Sequence, residues 1–259
     1  MQEDHPIKVL DASWHGNDRD SVKEFKDLHI KGAQFFDIDD CADKGTTLPH
    51  MLPTVEEFEE YVGNLGISND DHVVVYDTHG VYSSPRAWWT FKVFGHERVS
   101  ILDGGLPGWT RVGGPIESGP AAPVERTSFK ATYDASLVAD MKDIKEFAAG
   151  KGSGILLDGR SAARFSGEAP EPRPNLPSGH IPNSVNLPFT EVLKGTERVA
   201  SADHIRALCK VIGIDLTAPV TTLCGSGVTG ALVALALHQV GIKARVYDGK
   251  TPFLQGNGP

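Results

Sequence analysis

Thr54 to Asp77 reads TVEEFEEYVGNLGISNDDHVVVYD, and Ser201 to Cys224 reads SADHIRALCKVIGIDLTAPVTTLC. The blocks begin 147 positions apart (54 to 201) and end 147 positions apart (77 to 224). Each opens on a hydroxyl residue suited to cap a helix, closes that helix on a glycine (Gly66, Gly213) and then enters an apolar run. Thr54 with Glu57 forms a capping-box pattern, and Val55, Phe58, Val62 and Leu65 recur at helical spacing. Ile205, Leu208 and Ile212 do the same in the second block. His72–Tyr76 and Val220–Leu223 are short and rich in β-branched residues, which predicts buried strands.

The repeat extends outward in the same order. Leu10-Asp11 answers to Leu157-Asp158, His29-Ile30 to His180-Ile181, and Asp103-Gly104 to Asp248-Gly249. Strands alternate with helical segments in both halves, which predicts two similar α/β domains, each a mainly parallel sheet flanked by helices. The boundaries follow from composition. Residues 1–115 form the first domain and 133–259 the second. Between Trp109 and Tyr133 the chain lacks periodicity and includes GGPIESGPAAP, rich in Pro, Gly and Ala, so 116–132 reads as an exposed linker.

Composition narrows the function. With 25 basic and 34 acidic residues the net charge is −9, which argues against nucleic acid or an anionic membrane as partner. No apolar run approaches the roughly 20 residues of a membrane helix. The start, Met1 to Pro6, is polar and acidic and carries no secretory signal as the chain stands. Three cysteines, at 41, 209 and 224, fit a reducing compartment, and no CxxC pair suggests structural zinc. The cytoplasm is the expected location, with the mitochondrion as the alternative.

In parallel sheets of this kind, sites form beyond the carboxyl ends of strands. The repeat marks two such positions, Asp77 and Cys224. Cys224 leads into Gly225-Ser226-Gly227-Val228-Thr229 and then a long apolar helical stretch. Amides of a glycine-rich turn and the positive end of a helix favour a thiolate there, hence a nucleophile. Cys209 falls on the apolar side of a capped helix and reads as core, and Cys41 reads as incidental. Cysteine phosphatases hold phosphate with an arginine late in such a loop. Here that position is Gly230, and no Lys or Arg occurs between Cys224 and Leu237. Sulfur transfer fits better than phosphate-ester chemistry.

Cys224 to Thr229 resembles the active-site loop of the mercaptopyruvate-using branch of the rhodanese superfamily. Further stretches resemble the same family: LDASW at 10–14, FFDID at 35–39, PHMLP at 49–53, LDGG at 102–105, RFSGEAPEPR at 164–173 and GHIPNSVNLPF at 179–189. The thiosulfate-using branch has basic residues where this chain has Gly225 and Ser226.

The resemblance implies tandem domains with an inactive first copy, and a persulfide carried on Cys224 in a loop that includes Gly225, Gly227, Val228 and Thr229. It implies that Arg164 and Arg173 hold the carboxylate and carbonyl of a small 2-oxo thiol acid. Ser226, His50 and Asp39 would form a proton relay. A thiol acceptor such as thioredoxin would remove the outer sulfur, releasing sulfide when a reductant is present, with no metal or organic cofactor. A thiosulfate:cyanide sulfurtransferase and a non-catalytic binding protein on the same fold are the alternatives.

After Asp248-Gly249 the family continues with Ser-Trp-x-x-Trp, whereas this chain reads Lys250-Thr251-Pro252-Phe253-Leu254 and ends at Pro259. The expectation is a less stable second domain, a more open cleft beside Cys224 and a mobile tail from about Thr251.

Overall fold

The computed structural model describes residues 6–16, 19–172, 178–215 and 217–249. The chain divides into two compact units. The first is Met1–Asp134 with Gly195–Arg198, and the second is Ala135–Lys194 with Val199–Pro259. The expected mobile tail, Thr251 to Pro259, lies outside the described residues.

In the first unit β1 (Ile7–Asp11), β3 (Gln34–Phe35), β4 (His72–Tyr76) and β5 (Val99–Ile101) form a parallel sheet in the order β3-β1-β4-β5. β2 (His29–Ile30) and β6 (Ile116–Glu117) make a separate antiparallel pair. The helices are α1 (Ser21–Asp27), α2 (Val55–Asn64), α3 (Ser84–Val93) and α4 (Gly105–Arg111).

In the second unit β7 (Val138–Ala139), β8 (Ile155–Asp158), β9 (Ser184–Asn186), β12 (Val220–Leu223) and β13 (Arg245–Tyr247) form a parallel sheet in the order β7-β13-β12-β8-β9. β10 (Leu193–Lys194) and β11 (Arg198–Val199) form a small pair. The helices are α5 (Met141–Ala148), α6 (Ala162–Ser166), α7 (Ala202–Val211) and α8 (Val228–His238).

The repeat is visible in side-chain detail. Thr54 and Glu57 complete the capping box of α2, which buries Phe58 and Val62. Ser201 caps α7 through the His204 N–H, and α7 buries Ile205 and Cys209. Gly66 and Gly213 take φ of 69° and 72°, the left-handed conformation that ends a helix cheaply only at glycine. His29 stacks on Phe25 at 3.9 Å and 11°, and His180 stacks on Phe165 at 3.9 Å and 9°. Each imidazole also places Nδ1 on the carbonyl of the ring beneath it, at 2.7 and 2.8 Å.

The segment expected as an exposed linker is held along the first unit. Ile116–Glu117 is a strand, and Phe129 is buried against Phe58 and His96. The Thr127 N–H donates to the Gly63 carbonyl, and the Thr132 N–H to that of Phe94. One aromatic anchor, main-chain bonds and side-chain bonds such as Asn69 to Lys130 and Glu59 to the Ala131 N–H fasten a segment whose composition shows no periodicity.

Candidate active site

All four residues of β12 are buried, and Cys224 follows directly with 5% of its surface exposed. Gly227, at φ 82°, caps α8 and turns the chain so that its N–H donates to Cys224 Sγ at 3.1 Å. An ordinary side chain resists that φ. Gly230, in the first turn of α8, lets the helix close on the strand end. A Cβ there would meet the Leu223 carbonyl carbon at 3.3 Å and the Cys224 nitrogen at 3.5 Å. The sulfur therefore lies at the amino end of an apolar helix, where the dipole favours negative charge. Val228 is buried, while Gly225, Ser226 and Thr229 are half-buried.

The first unit shows what its version of this loop binds. Asp77 follows β4, and Gly80 repeats the positive φ of Gly227 at 110°. The Asp77 carboxylate accepts the main-chain N–H groups of His79 (3.0 Å), Tyr82 (2.8 Å), Ser83 (3.0 Å) and Ser84 (2.9 Å), and the Ser84 hydroxyl (2.7 Å). A fixed carboxylate thus takes up the amides at the start of α3.

Beside β12 runs β8, with Asp158 in register with Leu223. Arg160, almost wholly buried, donates from Nε and Nη2 to Asp158, from Nη2 to the Gly179 carbonyl (2.8 Å) and from Nη1 to Glu171 Oε1 (2.8 Å). Arg164, on α6, meets the same Glu171 through Nε at 3.1 Å and Nη2 at 2.6 Å. Burial raises the Glu171 carboxyl, but Arg164 and Arg160 together outweigh it and hold the group below the usual carboxylate range. Arg173 lies outside the described residues.

In the first unit His50 is buried with φ 61°, and its Nδ1 lies 2.8 Å from Asp39 Oδ1. Trp14 donates its indole N–H to Asp39 Oδ2 at 2.9 Å and meets the His50 ring edge-on at 4.7 Å. Arg86 donates to the His50 carbonyl. The hydrogen bond from His50 holds the Asp39 carboxyl below its usual range.

Cys209 is fully buried on α7. Cys41 is also buried, although it lies in a stretch rich in Asp and Lys. It lines a cavity of about 190 Å³ with Tyr61, Pro53 and Lys44, and burial pushes its thiol far up. Among the described residues no group of three or more His, Cys, Asp or Glu side chains is arranged to hold a metal ion.

The rhodanese-like domain pattern matches residues 1–112 and 139–250. The chain belongs to the rhodanese-like family. Over 249 residues it is 43% identical to human 3-mercaptopyruvate sulfurtransferase, covering 94% of this chain and 83% of that protein. It is 42% identical to bovine thiosulfate sulfurtransferase over 248 residues, with coverage of 94% and 83%. The crystal structure of SseA from Escherichia coli, described as a 3-mercaptopyruvate sulfotransferase, superposes with TM-score 0.85 at 36% identity, covering 94% of this chain and 92% of that one. The protein is a sulfur-transferring enzyme of the 3-mercaptopyruvate/thiosulfate type.

Within the second unit of this rhodanese-like chain, Cys224, Gly225, Ser226 and Gly227 form the turn after β12, Val228 and Thr229 open α8, and Arg164 belongs to α6, close after β8. Asp39 and His50 pair in the first unit. Sequence reasoning missed Arg160 and Glu171. Arg160 had a signal in the repeat, because position 147 earlier is Ser13, beside Asp11, so the second copy alone carries a cation there. Glu171 lies in the RFSGEAPEPR stretch at 164–173, but no spacing singles it out, and only the fold joins it to its arginines.

Proposed function

We propose that Cys224 takes sulfur from 3-mercaptopyruvate as a persulfide and passes it to a thiol acceptor. The observation that supports this most is Cys224 Sγ beneath the Gly227 N–H in a loop with no basic side chain from Gly225 to Leu237. Such a loop stabilises one negative sulfur through amides and leaves recognition of the donor's charge to arginines outside it. A carboxylate several bonds from the transferred sulfur suits that separation. Thiosulfate carries its charge next to the sulfur.

The Cys224 thiolate attacks the thiol sulfur of the donor. The new S–S bond forms as the C–S bond breaks, and the electron pair leaves on carbon as the enolate of pyruvate, which takes up a proton. Arg164, with Arg173, binds the carboxylate and carbonyl as a planar fork. Asp39, His50 and Ser226 serve as the proton relay, an assignment that rests on the family resemblance. An acceptor thiolate then attacks the outer sulfur and frees Cys224. A dithiol of the thioredoxin kind completes this by closing its own disulfide and releasing sulfide. Such chemistry suits a reducing compartment, the cytoplasm or the mitochondrion.

The test is steady-state turnover with each donor. The value of kcat/KM for 3-mercaptopyruvate is expected to exceed that for thiosulfate by an order of magnitude or more. The reverse order would assign thiosulfate as donor, and no turnover of either would favour a non-catalytic binding role.

A further inference from the structure

Glu171 is a buried carboxylate whose partners among the described residues are two arginines. Its side chain is 2% exposed, as is that of Arg160, whereas Arg164 is 26% exposed. Arg160 is fixed by Asp158 at the end of β8 and by the Gly179 carbonyl, so it ties Glu171 to the rigid sheet. Glu171 in turn takes the Nε–Nη2 edge of Arg164. A guanidinium presents two usable edges for a carboxylate. Along the Nη1–Nη2 edge of Arg164, Nη2 gives one N–H to Glu171 and keeps a second, and Nη1 has no partner among the described residues; that edge belongs to the more exposed end of the side chain.

We infer that Glu171 is a positioning residue for the sulfur donor. It fixes Arg164 by one edge so that the other edge meets the donor carboxylate in one orientation. The chain of support runs from Asp158, in register with Leu223 just before Cys224, through Arg160 and Glu171 to Arg164. An arginine left unclamped samples many rotamers, and holding it in place removes an ordering cost that substrate binding would otherwise meet. The charge balance also matters. Asp158 and Glu171 together offset Arg160 and Arg164, so the cluster carries no surplus of buried cations. This inference rests on the donor reading above.

The experiment is a double-mutant cycle of Glu171→Gln and Arg164→Ala in the full chain, with KM and kcat measured for 3-mercaptopyruvate and melting temperature recorded for each variant. Wild-type turnover of 3-mercaptopyruvate is the control for the donor reading; its absence would defeat that reading. Given wild-type turnover, Glu171→Gln is expected to raise KM about tenfold with kcat within about twofold, since one charge-assisted contact is at stake. In the Arg164→Ala background the same change is expected to move KM by less than about twofold. If Glu171→Gln does not fold, Glu171→Asp, which keeps the charge but retracts the oxygens, carries the same cycle. Unchanged KM in a folded single variant, or an equal rise in KM with and without Arg164, would overturn the inference.

Discussion

The main-chain N–H of Gly227 donates to Cys224 Sγ at 3.1 Å, across the turn that joins β12 to α8. Its counterpart in the first unit is a carboxylate: Asp77 gathers four main-chain N–H groups, from His79 in the loop to Ser84 at the start of α3. The two loops are one device with two occupants. One holds a side chain that cannot carry sulfur, and the other holds one that can.

Replacing Cys224 by Ser is expected to abolish sulfur transfer and leave the fold intact, because the hydroxyl is nearly isosteric but forms no persulfide. Cys209→Ser is expected to retain activity, since Cys209 is buried on α7. Turnover assays with far-UV circular dichroism check both. Activity in the Cys224→Ser protein would remove the nucleophile assignment.

Arg164→Ala is expected to raise KM for the donor more than it lowers kcat, because the carboxylate is held alike in ground and transition states. Arg164→Lys is expected to rescue only in part, since an ammonium cannot grip Glu171 and the donor with two separate edges. Michaelis curves for the three proteins decide, and a full rescue by Lys would count against the fork.

Asp77→Ala is expected to destabilise the first unit by about 2–4 kcal/mol, because it strips partners from several buried N–H groups at once. It is not expected to create transfer activity there. All four tryptophans (14, 88, 89 and 109) belong to the first unit, so their fluorescence during urea unfolding reads it alone. An unchanged midpoint would show that water replaces the carboxylate at no cost.

Asp11 supplies a pH dependence. Its buried carboxyl accepts the Ser13 N–H and hydroxyl, and burial pushes it up to about 6. An unfolded Asp ionises near ~3.9, so between these values the folded state binds more protons. The stability linked to this group is therefore full below pH ~4 and is lost as pH rises through about 6. Asp11→Asn is expected to flatten that decline. Tryptophan-detected unfolding from pH 4 to 7 checks it, and an equal slope in both proteins would refute the assignment. At the matching place in the second unit Asp158 is paired with Arg160 instead.

Much of the fold was legible because it is carried by short-range chemistry. Thr54 and Glu57 announce a helix start, Gly66 and Gly213 announce helix ends, and β-branched runs announce buried strands. The repeat then made each of these count twice. Cys224 was legible for the same reason, as a thiol between a strand and a glycine turn. The clamp on Arg164 was not, because Glu171 follows no periodicity and meets Arg160 and Arg164 only through the fold. Phe129 was missed because it is the one buried side chain in a stretch that is otherwise mostly exposed, as its composition marks it.

Sulfur transfer by this chain stands or falls with the persulfide on Cys224. Intact-protein and peptide mass spectrometry after brief exposure to 3-mercaptopyruvate, without reductant, detects that species itself. The expected result is a gain of about 32 Da, one sulfur, on the peptide that contains Cys224, removed by a thiol. No gain on that peptide while pyruvate is released, or a gain on Cys41 or Cys209 instead, would contradict it.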